Sequence, residues 1–461
     1  MNIIYVVCHD LGRHLGCYGR QVHSPNIDAF ASQSVRFDRA FCQTAVCSPS
    51  RAACLSGLPA HQNGMMGLAH FGWRFFDGVK TIVDYCNEAG IETVHCGFSH
   101  EGEELQSRYQ IDFEVDWRCH TVEAAVDDAI AYLKGRRKQK RKTPFYLNLG
   151  TTEVHRSVWS KDTDAKGFPS RFRQVYGGPV PDEEAFVPPP TPDIPYTHEM
   201  FARFASAIRY FDQQIGRLVA TIDELGYNKD TLVVFTTDHG MVDLRGKGTL
   251  YDRGTEIALM ARPPRGMAKP DNCEHLVSNL DVTPTLLEAL GITVPEHLRG
   301  RSFWRLIAGR GDYEPNERIF QEWNFGGPQD DYSPIRVLRE NRYKLMRHYG
   351  PNNFDQYYPD EINPEFTREQ LTHRRYKNYG PGYLHPERMT PEVQLFDLMK
   401  DPHERHNLAE DPAHAERVTA MAAVLHDWMA QTDDHLLRRE IPKVPQAPGF
   451  HFPENPPTLV D

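Results

Sequence analysis

Short β-branched apolar runs, spaced along the first 262 residues, restrict the fold more than any other feature. Residues 2–8 (NIIYVVC), 93–98 (TVHCGF), 144–150 (PFYLNLG), 231–237 (TLVVFTT) and 257–262 (IALMAR) are of this kind. Such runs fit strands that are buried on both faces. Helical patterns lie between them: 79–90 closes on Gly90, 121–142 ends in a cationic run, and 198–226 is amphipathic and closes on Gly226. Cations suit a helix carboxyl end and glycine stops a helix there. Strands alternating with helices predict an α/β fold, a large, mostly parallel sheet sandwiched by helices.

The texture changes near residue 310. Residues 318–324, 335–349 and 393–404 read as short strands of an antiparallel sheet, and 414–434 as a terminal helix. The expectation is two domains, 1–310 and 311–461, the second a smaller α+β unit; 461 residues are enough for both and for a large core. The proline-rich stretch 164–196 reads as a long loop or cover, because the sheet pattern resumes after it.

Composition removes several function classes. A formal net charge of −11 argues against broad nucleic-acid binding. No apolar run approaches the roughly 20 residues of a membrane helix. The chain opens directly on a strand pattern without a basic leader, so a cytoplasmic protein is expected. The nine cysteines (8, 17, 42, 47, 54, 86, 96, 119 and 273) are odd in number and irregular in spacing, with no CxxC pair. That excludes zinc-ribbon and thioredoxin readings and suits reduced thiols.

In open α/β sheets, ligands sit beyond the carboxyl ends of strands. The first strand runs into His9 and Asp10, and the strand at 231–237 runs into Asp238 and His239. Either carboxylate alone is explained as a loop cap. The two together, with CSPSR at 47–51, point to a divalent metal. Oxygen donors suit calcium or magnesium, and imidazole admits manganese or zinc. Pro49 suits the first position of a helix, Ser48 its cap and Gly57 its stop, so a helix over 49–57 is expected with Cys47 just ahead of it. Free N–H groups there attract anions, and Arg51 adds bidentate reach for a tetrahedral oxyanion. The result is a socket for sulfate or phosphate with a nucleophile at its rim.

CSPSR (47–51) followed by LSG (55–57) resembles the C-x-P-S-R…L-T-G signature of type I sulfatases, in the alkaline phosphatase superfamily. The likeness continues along almost the whole chain. HDLGRHLGCYG (9–19) resembles the family's DDLG strand motif, FTTDHG (235–240) its second metal motif, KGTLYDRGTEIALMAR (247–262) its lysine loop, and QLFDLMKDPHERHNLAEDP (394–412) its C-terminal motif. Within the family, GLPAHQNGM, VHRSV and DWMAQTDDHLL look most like sulfamidases.

The resemblance implies an alkaline-phosphatase-like fold and conversion of Cys47 to Cα-formylglycine by a maturase. It implies one divalent metal, calcium foremost, with Asp10, Asp238, His239 and residue 47 as ligands and His9 as a further candidate. The substrate would be a sulfated carbohydrate, O- or N-linked. Arg51 would stabilise the formylglycine hydroxyl, His100 would contact the diol, His155 would lie near the leaving group, and Lys247 would bind sulfate and protonate the leaving atom. Arg156 is a candidate substrate contact.

Two positions depart from the pattern. His9 stands where the family has its first aspartate, and GFSH (97–100) replaces G-K-x-H, so Phe98 takes the place of a lysine. Arg156, Arg245 and His95 are candidates for the missing cation. A phosphonate monoester or phosphodiester hydrolase would use the same aldehyde and metal, and a degenerate sulfate-binding protein would explain the departures. The stretch 366–388 mixes cations with aromatics, which suits either a sugar contact or a solvated loop.

Overall fold

The computed structural model describes residues 1–113, 122–155, 185–189, 191, 193–241, 245–325, 332–350, 354–356 and 384–442, with backbone only at 196, 354–356 and 384–389. Most of the proline-rich stretch and residues 366–383 lie outside them. Eight strands form the central sheet, in the order Ile111–Phe113, Glu92–Gly97, Phe145–Gly150, Asn2–Cys8, Thr231–Thr237, Leu259–Arg262, Val35–Phe37 and Asn272–Cys273. All run in one direction except Leu259–Arg262, which is antiparallel to both neighbours. The reversal has a local cause. The chain returns from Asp238 through a loop that, among its described residues, holds only the short helical turn Asp252–Thr255, and Thr237 N–H donates to Ala258 O at 3.1 Å. A parallel return would need a longer crossover.

The strands lack alternation because both faces are covered. Ile3, Tyr5 and Val7 enter one core layer, while Ile4, Val6 and Cys8 enter the other. Helices Val122–Lys138 and Pro195–Glu224 cover the second layer, the latter placing Phe201, Phe204, Ile208, Phe211 and Ile215 on one helical face. Cys47–Ser56, Ile82–Glu88 and Val282–Leu290 cover the first layer.

The second sheet is antiparallel throughout: Arg318–Phe325, Tyr332–Glu340, Tyr343–His348 and Val393–Asp397. The run expected as one strand at 335–349 is a hairpin. Val337, Leu345 and Phe396, with Trp428 of helix Ala415–Gln431, share the first core layer with Ile3 and Val234. Buried ion pairs add to this junction. Arg339 and Lys344 meet Asp252 at 2.9 Å each, and Gln43, four residues before Cys47, donates to Glu322 of the second sheet. Among the described residues, no helix is long and apolar enough to cross a membrane.

Candidate active site

Pairing of Cys8 with Thr237 brings the ends of two central strands level, so His9–Asp10 and Asp238–His239 emerge side by side. Asp10 turns off the sheet at φ 54°, a left-handed conformation that Asp tolerates better than most residues. Its N–H donates to Asp238 Oδ1 at 2.9 Å. Gly150 must be glycine here. A Cβ would stand 1.9 Å from Phe98 O, so a side chain would block the crossing of segment 97–98 toward the site.

The helix that carries Cys47 differs from the sequence expectation at its start. It spans Cys47–Ser56 with Val46 as the N-cap, so Cys47 is the first helical residue and not a residue ahead of the helix. Ser48 does not cap it; its Oγ accepts from Ala69 N–H at 3.0 Å. Pro49 falls inside the first turn, where its missing N–H has no carbonyl to serve. Gly57 stops the helix at φ 67°, as expected.

Ligating atoms of His9, Asp10, Cys47, Asp238 and His239 all lie within 4.8 Å of one another, and all five residues are buried. Cys47 Sγ is 3.4 Å from His239 Nε2 and 4.0 Å from His9 Nδ1. His239 Nδ1 donates to Gly240 O at 2.8 Å, which leaves Nε2 with its lone pair toward the cluster, 3.3 Å from Asp10 Oδ1. Two converging carboxylates and an imidazole of fixed tautomer fit a divalent cation.

Nitrogen atoms of the chain itself surround the carboxylates. Lys247 Nζ sits 2.9 and 3.0 Å from the two Asp10 oxygens. His9 Nδ1 is 2.7 Å from Asp10 Oδ1 and 3.1 Å from Asp238 Oδ2. Arg51 Nε donates to Asp238 Oδ2 at 3.1 Å, while its buried Nη1 and Nη2 have no hydrogen-bond partner. The titration follows. Burial opposes the imidazolium of His9, but Asp238, Cys47 and Asp10 outweigh it and raise its pKa to about 9. Burial likewise opposes a Cys47 thiolate, yet Lys247, His9 and His239 hold the thiol well below its usual value. Burial would raise Asp10, but the charges of Lys247 and His9 keep it well below the ordinary carboxylate range.

The remaining expected residues separate into two groups. His155 Nε2 is 3.6 Å from Asp10 Oδ2, and its ring packs edge-on to His9 with centroids 4.4 Å apart. His100 lies beside Phe98, and Cys47 acts on it at close range. Phe98 puts its ring 5.5 Å from the Arg51 guanidinium carbon. The candidate replacement cations are engaged elsewhere. Arg245 stacks on Tyr251 at 4.1 Å and donates to the carbonyls of His403 and Glu404, and His95 Nδ1 is 2.7 Å from Asp112 Oδ1. Arg156 lies outside the described residues. Sequence reading passed over His70, which meets His100, and Ser50, whose Oγ donates to Asp238 O. Only the position of Ser50 inside CSPSR was a signal; nothing in the sequence brings residue 70 to residue 100.

Comparison with known proteins gives the family. The sulfatase family model matches residues 1–292, and the model for the C-terminal part of N-sulphoglucosamine sulphohydrolase matches residues 237–380. The chain is 28% identical over 472 residues to human N-sulphoglucosamine sulphohydrolase, covering 94% of this chain and 90% of the relative. It is 23% identical to a Δ4,5-hexuronate-2-O-sulfatase of Bacteroides thetaiotaomicron, covering 99% and 95%. A structure solved with its substrate D-glucosamine-2-N,6-O-disulfate shares the fold at TM-score 0.70 and 17% identity, over 94% of this chain and 98% of the other. A phosphonate monoester hydrolase of Agrobacterium radiobacter shares it at TM-score 0.68 and 18% identity, over 94% and 96%. With a matching model over more than half its length, this chain belongs to the sulfatase family.

Proposed function

We propose that the protein is a formylglycine-dependent sulfatase that hydrolyses a sulfate ester or sulfamate on a glycan. The observation that carries this reading is the buried convergence of His9, Asp10, Cys47, Asp238 and His239, with two unpartnered Arg51 nitrogens beside it. The carbohydrate substrate is supported by the human sulfamidase and the hexuronate sulfatase among the relatives.

Residue 47, once matured by a formylglycine-generating partner, supplies a hydrated aldehyde whose hydroxyl is the nucleophile. Asp10, Asp238, His239, residue 47 and, when neutral, His9 would hold a divalent cation, calcium foremost, which would supply Lewis-acid charge to the sulfate. Arg51 is fixed through Nε and offers its remaining N–H groups to a tetrahedral oxyanion. Lys247 holds sulfate and gives a proton to the leaving oxygen or nitrogen. His155, half-buried and kept neutral chiefly by burial, lies on the leaving-group side. His100, pushed down to about 4 mainly by burial, is neutral and able to take a proton from residue 47. Arg156 is a proposed substrate contact, and the part from residue 311 onward is a proposed second domain that completes the pocket. A reducing, cytoplasmic setting is supported by eight described cysteines, all free.

The test is coexpression with a formylglycine-generating enzyme, peptide mass at residue 47, and sulfate release from defined N- and O-sulfated mono- and disaccharides. Phosphonate and phosphodiester esters are run in parallel. The expected result is a residue 47 lighter by the exchange of thiol for aldehyde, sulfate release from at least one sugar, and its loss in Cys47→Ala. Faster turnover of phosphonates would move the protein to the hydrolase reading. Binding of a sulfated glycan without turnover would make it a degenerate relative, and full activity in Cys47→Ala would refute the nucleophile.

A further inference from the structure

His70 has no part in the chemistry above, yet it touches the chemistry's proposed base. It sits on the one-turn helix Ala69–Phe71, which is anchored to the nucleophile's helix by the Ala69–Ser48 bond. Its Nδ1 is 3.2 Å from His100 Nε2, with the two rings 6° from parallel and their centroids 5.4 Å apart. That separation is the N···N contact plus one ring radius at each end. The rings therefore lie edge to edge in nearly one plane, the geometry of a straight N–H···N hydrogen bond.

A neutral imidazole carries one N–H and one lone pair. His100 is therefore asymmetric, and its contact with His70 decides which nitrogen bears the proton. His100 Nδ1 is buried and has no hydrogen-bond partner. From the site, residue 47 and His9 act on the His100 ring, the His9 centroid lying 6.0 Å away, and a matured residue 47 presents it with a hydroxyl donor. A lone pair is favoured there over one more N–H. With the His100 proton on Nε2, His70 accepts it at Nδ1 and keeps its own proton on Nε2.

We infer that His70 is a positioning residue, accepting the His100 Nε2 proton and so holding His100 Nδ1 as the base that faces residue 47. The catalytic consequence rests on the sulfatase reading, and the tautomer on a matured residue 47. In the proton transfer, a hydroxyl on residue 47 loses its proton to His100 Nδ1, the O–H bond breaking as the N–H bond forms. The resulting imidazolium keeps its Nε2–H on His70, so no partner has to reorganise.

The experiment uses matured full-length protein with ¹⁵N-labelled histidine, in which ring-nitrogen shifts report the tautomer of His100. The wild type should show the Nε2-protonated form. His70→Leu should lose it, and His70→Asn should restore it, since the amide oxygen can stand near the place of Nδ1. In kinetics, His70→Leu should lower kcat about 10- to 100-fold with little change in KM, the range for partners that orient a reacting imidazole. His70→Asn should recover most of that loss, and adding His70→Leu to His100→Ala should cost nothing further. His70 is exposed, so these variants leave the core intact. A wild-type spectrum with the proton on Nδ1, or a leucine variant with unchanged spectrum and kcat, overturns the inference. The expected spectra without turnover of any sulfated sugar would support the tautomer assignment and remove the sulfatase reading.

Discussion

Replacing His9 by aspartate restores the carboxylate of the family pattern and tests the charge balance of the site. His9 Nδ1 lies 2.7 Å from Asp10 and 3.1 Å from Asp238, and all three side chains are at most 2% exposed. With its pKa raised from 6.5 to about 9, His9 is a cation at pH 7 in the metal-free protein. That shift corresponds to on the order of 3 kcal/mol of folding free energy. Aspartate removes the attraction and sets a third carboxylate against two others. At about 4 Å and an effective dielectric near 20, each such repulsion is about 4 kcal/mol, before Lys247, Arg51 or proton uptake relieves it. After that relief, the metal-free variant should be less stable by about 3–5 kcal/mol, the range for a buried ion pair that loses one partner. A divalent cation inverts the effect, because three carboxylates hold it more tightly than two. Binding to the native state alone adds about 2.7 kcal/mol at a hundredfold excess over Kd. The assay is urea unfolding of both proteins in EDTA and in calcium, with calorimetric titration of calcium. His9→Asp should be weaker in EDTA and should gain more from calcium than the wild type. A variant as stable as the wild type in EDTA, or one that gains no more from calcium, refutes the accounting.

Four further outcomes are expected. In EDTA, the stabilisation from protonated His9 is fully present below pH 6.5 and is lost as pH rises through about 9, so urea midpoints should fall across that window and His9→Asn should flatten the fall. Lys247→Met keeps the stem and removes the ammonium 2.9 Å from Asp10; steady-state rates should show kcat lower by about 10²–10³ with residue 47 still matured. Asp434→Ala removes the nearer carboxylate of buried Arg336, whose Nε and Nη2 lie 2.5 and 3.0 Å from it, and leaves Glu322 at 3.4 Å, so urea unfolding should register a loss of about 3 kcal/mol, the low end for a buried ion pair that loses a partner. Adding Phe98→Lys to His9→Asp should return about 1–3 kcal/mol of the EDTA deficit, measured as the coupling term of a double-mutant cycle.

The sequence disclosed what rests on local repetition and hid what rests on tertiary approach. Strands 2–8 and 231–237 were legible because burial on both faces demands an unbroken apolar run. Strands Val35–Phe37 and Asn272–Cys273 are too short to carry a period, and the direction of Leu259–Arg262 depends on the loop before it. The two metal-type couplets were legible because each directly follows a strand. The start of helix Cys47–Ser56 was misplaced because Pro49 fits the first turn as well as its first position, and Ser48 is engaged by Ala69, twenty-one residues on. His70 is beyond sequence reasoning for the same cause: its partner is thirty residues away, and only the fold sets the rings in one plane.

The two departures from the family pattern also meet in the fold. The His9 and Phe98 rings have centroids 5.5 Å apart, and the same Phe98 ring faces the Arg51 guanidinium carbon at 5.5 Å. In the pattern implied by the resemblance, one position brings a carboxylate and the other an ammonium. Losing the carboxylate alone would leave an excess of positive charge in a buried chamber, and losing the ammonium alone an excess of negative charge; losing both restores the balance. The aromatic ring at 98 then suits its neighbours, because a guanidinium and an imidazole both pack on a π face where an ammonium would repel them. Position 9 gains a choice that a carboxylate lacks. As an imidazole it donates a lone pair to a cation, and as an imidazolium it adds a positive charge that Arg245 and His95, held elsewhere, do not bring. One ring nitrogen cannot do both at once, so cation binding and anion attraction at this site compete for a single proton.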